Sequence, residues 1–301
     1  MHKENDTRYT YKAFGLIVES EFEIPELYDA PDSSPDVKIR FGDVPVELGT
    51  VEKKGVRFQL NKDEFLLHID DIAGYYVQKG SVVTVEKIFT ATAQEVRLFL
   101  LSVVFSALLY QRNIVSLHAS AIKKGGSCFL VCGNSGAGKS TLTTEFLNQG
   151  YQLLTDDITV LTEKNGKIQV LPSYPFIKLW KDSIEHLNQP EENGFRLREQ
   201  LEKYGFRLEN EFYPEPLPVK SIFILNPHNK PEYIQQELTG VEKFNALRNH
   251  TYRFRFILNN VRPLHFQHFN KLAGQTSVRQ VFRPQAPIDT KKLREYIEQY
   301  L

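Results

Sequence analysis

The sequence lacks most features of a secreted, membrane-spanning or zinc-binding protein. It has only two cysteines, Cys128 and Cys132, too few for a zinc site without nearby histidines. They lie four residues apart on a predicted strand, so we expect buried free thiols on one face. The most apolar run, residues 98–110, is shorter than the roughly 20 residues that span a bilayer. Because the polar start MHKENDTRYTYK does not resemble a signal peptide, we expect a cytoplasmic protein without a membrane partner.

The sequence also has no net charge. Lys+Arg and Asp+Glu each total 37, so no global electrostatic field favours nucleic acid as a partner. Hydrophobic residues make up 41% and charged residues 25%, which is close to the average of globular proteins and allows a sizeable core. The 301 residues suit one large or two ordinary domains, and a homo-oligomer is compatible with them.

Two kinds of pattern divide the chain and predict an α/β protein with two domains. Residues 1–95 contain short alternating or β-branched runs punctuated by Gly, Pro and Asp, which predicts a smaller β-rich N-terminal domain. A helix is predicted over residues 92–111, and strands then interleave with helices in a second domain, 96–301. The polar stretch 186–216 is either a lid that grips substrate or a surface insertion.

The segment GNSGAGKS, residues 133–140, has the spacing of a phosphate-binding loop between a strand, FLVC, and a helix predicted from Lys139. Its glycines let the backbone curl with N–H groups inward, and the helix adds its positive end. Lys139 can reach the β- and γ-phosphates, and Ser140 can bind the Mg²⁺ that neutralises them. Motors, switches and kinases share this motif, and ATP is not distinguished from GTP. The predicted nucleotide contacts are Gly133, Asn134, Ser135, Gly136, Ala137, Gly138, Lys139, Ser140 and Thr141.

An acidic pair, Asp156-Asp157, follows the loop helix after one turn and the strand YQLL. We expect this strand to lie beside the loop's own strand, which would place the pair near the γ-phosphate. There one carboxylate can hold Mg²⁺ and another can accept the proton of an attacking hydroxyl. Asp157 and Ser140 are the predicted metal ligands, and either aspartate can be the base. Adjacent strand residues point to opposite sides, so only one should face the acceptor fully. A solvated strand end is the alternative.

Three further positions are candidates with ordinary alternatives. The hairpin SLHASAIKKGGSCFLVCG would return His118 to the loop end, where it can contact the γ-phosphate or the attacking group, although a lone histidine is more often structural. Arg253 or Arg255 can stabilise a transferring phosphate or simply pair with surface acids. Trp180 either stacks on a base or fills the core.

The run from His118 to Asp157 resembles the catalytic domain of the bacterial HPr kinase/phosphorylase family. That family has a histidine followed by a small residue, a hairpin, a loop of the form G-x-S-G-x-G-K-S and a strand ending in paired aspartates. The resemblance implies a phosphate-loop kinase domain akin to phosphoenolpyruvate carboxykinase. It also implies transfer to a serine hydroxyl, with one aspartate as base and His118 assisting. Thr141 stands where a glutamate is usual, and Ala119 where a glycine is usual, which argues against HPr itself as the substrate.

These departures favour the divergent HPr-kinase-like proteins of peptide-modifying clusters. The lasso-peptide kinases resemble this chain in LHASAI, GNSGAGKST, LLTDDITVL and YPFIKLW. That resemblance implies ATP- and Mg²⁺-dependent phosphorylation of a serine at the C-terminal end of a precursor peptide. The alternatives are an HPr-type kinase/phosphorylase, a small-metabolite kinase and, in another class, a nucleotide-gated regulatory module with slow hydrolysis.

Overall fold

The structure is a computed structural model with a mixed α/β fold and several sheets. By its internal contacts the chain forms two units, residues 1–114 with 253–262 and residues 115–252 with 263–301. The predicted domain assignments, 1–95 and 96–301, remain predictions. The residues that the structure describes are 8–30, 33–184, 194–198, 201–253, 256–258, 262–285 and 288–301.

The first unit is built on a nine-stranded sheet with the order β3-β1-β2-β4-β9-β8-β7-β6-β5. Most neighbours are antiparallel, whereas β4 runs parallel to both β2 and β9. Side chains of β2 alternate between buried and half-buried, as expected for a strand with one face on the core. The strands are β1 (Tyr9–Ala13), β2 (Leu16–Ser20), β3 (Tyr28–Asp29), β4 (Val37–Phe41), β5 (Lys53–Lys54), β6 (Phe58–Leu60), β7 (Glu64–Ile69), β8 (Ala73–Gln78) and β9 (Val82–Lys87).

The predicted helix over residues 92–111 is confirmed, with a π-helical turn at its centre. It comprises α1 (Ala93–Phe99), the turn Leu100–Val104 and α2 (Phe105–Gln111). A capping box between Thr92 and Glu95 fixes its start. Of the helices that the structure describes, it is the one long and apolar enough to cross a membrane, but 67% of its most apolar window is buried inside the protein. Such burial is typical of a core helix.

The second unit contains an eight-stranded sheet and a three-stranded sheet. The larger has the order β11-β10-β13-β14-β18-β20-β19, with β12 also paired to β10 and β11 also paired to β18. The smaller has the order β15-β17-β16. The strands are β10 (Val115–Lys124), β11 (Ser127–Gly133), β12 (Leu153–Thr155), β13 (Ile158–Lys164), β14 (Lys167–Leu171), β15 (Phe176–Trp180), β16 (Phe195–Arg198), β17 (Leu201–Arg207), β18 (Leu217–His228), β19 (Ile234–Glu237) and β20 (Ser277–Pro284).

Strand β11 is buried on both faces because helices cover both sides of it. Cys128, Leu130 and Cys132 pack into one core cluster with apolar side chains of α5 and α6, and Phe129 and Val131 pack into another with α3 and α7. Both cysteines are buried free thiols on one face, as the sequence predicts. The helices of this unit are α3 (Lys139–Asn148), α4 (Lys181–Ile184), α5 (Gly240–Asn249), α6 (Arg262–Gln275) and α7 (Thr290–Glu298).

Candidate functional site

The glycine loop connects the end of β11 at Gly133 to the start of α3 at Lys139. Gly136 and Gly138 have φ angles of 81° and 87°, in the left-handed region that side chains disfavour. No side chain caps the start of α3. Since the first amides of a helix have no acceptor within it, this end presents N–H groups and the positive end of the helix dipole. The loop therefore has the backbone geometry that an anion-binding site requires.

A buried arginine that the sequence analysis missed supports the loop. Arg283, at the end of β20, is only 2% exposed. Its Nε donates to the carbonyl oxygen of Ala137 at 2.8 Å and its Nη2 to that of Gly136 at 3.3 Å. Its Nη1 donates to the carbonyl oxygens of Pro284 and Gln285 at 2.7 and 3.4 Å. Burial lowers the pKa of Arg283, yet a guanidinium stays protonated in proteins. The arginine therefore ties the loop to β20 with a buried positive charge.

The aspartate strand occupies a different place in the sheet from the one predicted. Both β12 and β13 pair with β10, so β10 lies between them and the loop strand β11. The other edge of β11 is taken by β18, which leaves no free edge for β12. The predicted hairpin of β10 and β11 is confirmed. Because His118 lies on β10 opposite Ile158, this order brings the histidine directly beside the acidic pair.

The predicted single strand through the acidic pair is interrupted there. Strand β12 ends at Thr155, β13 begins at Ile158, and Asp157 has a φ of 70°, in the left-handed region. Aspartate is one of the few side chains that tolerates this conformation, because its short polar group can hydrogen-bond locally. The two carboxylates at this interruption have different side-chain partners.

Asp156 is the more buried carboxylate, with a side chain only 5% exposed. Its Oδ1 accepts a hydrogen bond of 2.6 Å from Ser120 Oγ and lies 3.4 Å from Lys139 Nζ. Its Oδ2 accepts a long contact of 3.5 Å from the backbone N–H of Lys178. Burial raises the pKa of Asp156, but Lys139 and the Ser120 hydrogen bond outweigh it, so the net pKa lies below the usual value. This carboxylate therefore anchors Lys139.

Asp157 is more accessible, with a side chain 25% exposed. Its Oδ1 lies 3.1 Å from His118 Nδ1, and its Oδ2 accepts from the Tyr252 hydroxyl at 3.3 Å and lies 3.7 Å from Lys178 Nζ. Burial raises the pKa of Asp157, but the His118 hydrogen bond and the charge of Lys178 hold it well below the usual value. If His118 is neutral and donates from Nδ1, its Nε2 is a hydrogen-bond acceptor.

One cleft of about 460 Å³ gathers these groups. Of the predicted loop residues, Gly133 and Ala137, which are both buried, do not line it. Thr141 lines the cleft and shares a hydrogen bond of 2.9 Å with the Ser183 hydroxyl. The predicted residues that line it are His118, Asn134, Ser135, Gly136, Gly138, Lys139, Ser140, Thr141, Asp156 and Asp157.

The small sheet supplies the candidate Trp180 and two cleft lysines that the sequence analysis did not single out. Lys178 and Trp180 lie two residues apart on β15, and Lys203 on β17 is the register partner of Trp180. All three therefore share one face of the sheet, and all three line the cleft. Trp180 is 43% exposed, so it does not fill the core. The sequence signal for Lys178 is its place as the one charged residue in the otherwise apolar run FIKLW.

The arginine-rich segment near residue 253 contributes to the site through residues other than the arginines proposed to bind phosphate. Arg253 belongs to the first unit, where its guanidinium lies 6.0 Å from the Phe256 ring centroid, and Arg255 lies outside the described residues. Neighbouring residues reach the site instead. Tyr252 binds Asp157, and the backbone N–H of His118 donates to the carbonyl oxygen of His250 at 2.7 Å.

No protein-family model and no curated protein sequence matches the chain. Among solved structures, the chain is similar to the Hpr(Ser) kinase/phosphatase from Coxiella burnetii, with a TM-score of 0.32 and 12% sequence identity. The match covers 62% of this chain and 89% of that chain. A likeness this distant carries no argument about mechanism or substrate.

Proposed function

We propose that this chain is an ATP-dependent kinase that transfers the γ-phosphoryl group to a serine hydroxyl. The observation that carries the proposal is the convergence of a phosphate-type loop, an acidic pair and a histidine in one cleft of about 460 Å³. A regulatory nucleotide-binding protein needs the loop and one carboxylate that holds Mg²⁺. A phosphotransferase also needs a positioned proton acceptor and groups that hold the transferred phosphoryl.

The loop side of the cleft fits the phosphates of a nucleotide. The open amides at the start of α3, the left-handed glycines and the lysine ammonium are complementary to several negative oxygens. Lys139 is held by Asp156 at 3.4 Å and lines the cleft, so its charge is already in place when the nucleotide binds. Gly133 and Ala137 would shape the loop from beneath, since both are buried. We propose ATP as the donor.

The cleft also fits Mg²⁺, although the protein supplies few ligands. No group of three or more His, Cys, Asp or Glu side chains suited to a metal occurs in the part of the chain that the structure describes. Mg²⁺ usually takes only one or two protein oxygens and completes its shell with water and phosphate oxygens. Ser140 and Asp157 both line the cleft and are the residues that would hold it, Asp157 through a bound water so that its carboxylate can still accept a proton. When bound, the ion would neutralise phosphate charge.

Asp157 is the better proton acceptor of the two carboxylates. Asp156 is nearly fully buried and engaged by Ser120 and Lys139, whereas Asp157 is partly exposed in the cleft. The pKa of Asp157 lies well below the usual value, so its carboxylate is ionised at neutral pH. Its advantage as acceptor is its access to the attacking hydroxyl, since the low pKa makes it a weak base. His118 and Tyr252 each donate to a different oxygen of Asp157 and would fix its orientation.

We propose a peptide serine as the acceptor, with the C-terminal serine of a lasso-type precursor as the first candidate. This choice rests on the sequence resemblance in LHASAI, GNSGAGKST, LLTDDITVL and YPFIKLW. The cleft is open enough to admit a chain segment, since it is lined by exposed loop residues such as Asn134 and Ser135. An HPr-type protein or a small metabolite would be a different outcome of the same test.

The test incubates the protein with γ-labelled ATP, Mg²⁺ and serine-containing peptides, each matched to its Ser→Ala version. We expect label on the serine peptide only, and loss of transfer by roughly 10²-fold or more in Asp157→Asn with ATP affinity largely kept. Asp70→Asn is the matched control, because Asp70 is an exposed carboxylate in the first unit. Label found only in free phosphate would refute the kinase in favour of a regulatory hydrolase. Competition by free serine would indicate a metabolite kinase.

A further inference from the structure

The cleft contains more lysines than carboxylates. Lys139 lies 3.4 Å from Asp156, and Lys178 lies 3.7 Å from Asp157, so each of these ammonium groups has one acidic partner. Lys203 has none: among the residues that the structure describes, no carboxylate lies within 4 Å of it. Its ammonium group lies over the Trp180 ring, whose centroid is 5.4 Å from Nζ. Within the described part of the chain, one positive charge in the cleft therefore lacks a carboxylate partner.

The environment of Lys203 makes this surplus costly to the folded protein. Burial lowers the pKa of Lys203, the carboxylates of Asp157 and Asp156 oppose that shift, and the charges of Lys178 and Lys139 add to it. Lysine is strongly hydrated and seldom buried without a partner. A cation that is kept half-buried beside other cations is best explained by an anion that joins them when a ligand binds.

The geometry of the small sheet shows where that anion would lie. Lys178 and Lys203 project from one face of β15 and β17, and both line the same cleft as Lys139 and Ser140 of the loop. Their strands belong to a sheet separate from the loop strand β11. The phosphate loop and the lysine pair are thus independent cationic elements that converge on one space, which suits a phosphate chain held at more than one point.

We propose that Lys178 and Lys203 clamp the outermost phosphoryl group of the bound nucleotide. This inference rests on the proposed kinase function and adds two residues that contact the reacting group. In the transfer, the bond from the γ-phosphorus to the β–γ bridging oxygen breaks and its electron pair leaves with ADP. A bond from the acceptor oxygen to phosphorus forms, and the hydroxyl proton passes to Asp157. The two ammonium groups neutralise charge on the non-bridging oxygens, the role that an arginine serves in many phosphotransferases.

The competing explanation is that the lysines are structural. Lys178 has such a role available, because its ammonium faces Asp157 and its backbone N–H faces Asp156. Lys203 does not have one, since it has no acidic partner among the described residues. Lys203 therefore decides between the explanations. A structural lysine would affect folding without regard to the ligand, whereas a phosphoryl clamp would distinguish a triphosphate from a diphosphate.

The experiment measures ATP and ADP affinities by titration calorimetry, together with peptide phosphorylation, for wild type, Lys203→Gln, Lys203→Arg and Lys178→Gln. We expect Lys203→Gln to weaken ATP binding roughly tenfold, leave ADP binding unchanged, and lower kcat roughly 10²-fold. Lys203→Arg should restore most of the preference for ATP, because its charge is kept. Lys164→Gln, an exposed lysine of the same unit, is the matched control.

The outcomes separate the clamp from the kinase proposal. If Lys203→Gln keeps both the ATP-to-ADP affinity ratio and kcat, the clamp is wrong while the kinase stands. Equal loss of ATP and ADP affinity would also overturn the clamp in favour of a structural lysine. If wild type binds neither nucleotide, both proposals fail. If Lys178→Gln does not fold because Asp157 loses a partner, Lys203→Gln still gives the answer, since Lys203 forms no ion pair with any residue that the structure describes.

Discussion

Replacement of Arg283 by methionine tests whether the phosphate loop depends on its buried arginine. The change removes the guanidinium but keeps a long apolar side chain in a site that is only 2% exposed. Two of the four hydrogen bonds are short, to Ala137 at 2.8 Å and to Pro284 at 2.7 Å, and the other two, at 3.3 and 3.4 Å, are at the weak end of the range. Only the bond to Ala137, with the weaker one to Gly136, reaches the loop.

The magnitude follows from these contacts. A hydrogen bond from a charged donor contributes about 1.5–3 kcal/mol, so the two short bonds together contribute about 3–6 kcal/mol. Removing the buried charge also relieves its desolvation cost, which offsets part of this loss of stability; the lowered pKa of Arg283 reflects that cost. We therefore expect a net loss of about 2–4 kcal/mol in the free energy of unfolding. If the loss of about 1.5–3 kcal/mol at Ala137 falls on the loop's binding conformation, ATP affinity drops by roughly 10- to 150-fold.

The assay combines urea unfolding with nucleotide titration. Trp180 is the chain's single tryptophan and belongs to the same unit as the loop, so its fluorescence reports on that unit. Arg283→Lys should give an intermediate result, because it keeps the charge but loses the planar fork of donors. Arg279→Met, on the same strand, removes a pair with Glu237, a 2.7 Å hydrogen bond to Ser277 and a contact with the Tyr300 ring, so it should destabilise the fold without changing ATP affinity. Wild-type unfolding and wild-type ATP affinity in Arg283→Met would refute the reasoning.

Two other predictions concern the acidic pair. The folded pKa values of Asp156 and Asp157 lie below the usual value, so their ionisation stabilises the fold above about pH 4, and this contribution is lost as pH falls through the lowered values. The urea midpoint should therefore fall less steeply with acid in Asp157→Asn than in wild type. Parallel curves for the two proteins would contradict this. Asp157 also has a φ of 70°, so Asp157→Ala should be less stable than Asp157→Gly by about 1 kcal/mol in urea unfolding, and an alanine variant of equal or greater stability would show that the backbone is not strained.

The loop and its flanking elements were predictable because their signals are local. Glycine spacing, a preceding apolar strand and a helix from Lys139 lie within one short segment, and the structure forms them there. The hairpin of β10 and β11 was equally readable, since its turn separates strands adjacent in the chain. These parts need no information from distant residues. The proximity of His118 to the acidic pair was also anticipated, although through a different strand order.

The remaining parts depend on pairings between distant segments. The neighbour of β11 is β18, a strand far along the chain, and no local pattern reveals that it excludes β12 from that edge. Lys203 reaches the cleft only because β17 pairs with β15, and it comes from the polar stretch that was read as a lid or a surface insertion. Arg283 is likewise remote from the loop it supports. Helix α6 was overlooked because its apolar residues are interspersed with His, Gln and Asn rather than forming a clear stripe.

The two buried thiols of β11, Cys128 and Cys132, can report how often that strand becomes exposed to solvent. Burial raises the pKa of Cys132, opposed in part by Lys139, to about 12, and burial likewise raises that of Cys128, so neither sulfur forms a reactive thiolate while β11 stays packed. Alkylation of the native chain would then proceed only as fast as the strand is uncovered, and bound ligand should slow it. An extra cysteine placed on the surface could be tagged selectively with the native pair left in position.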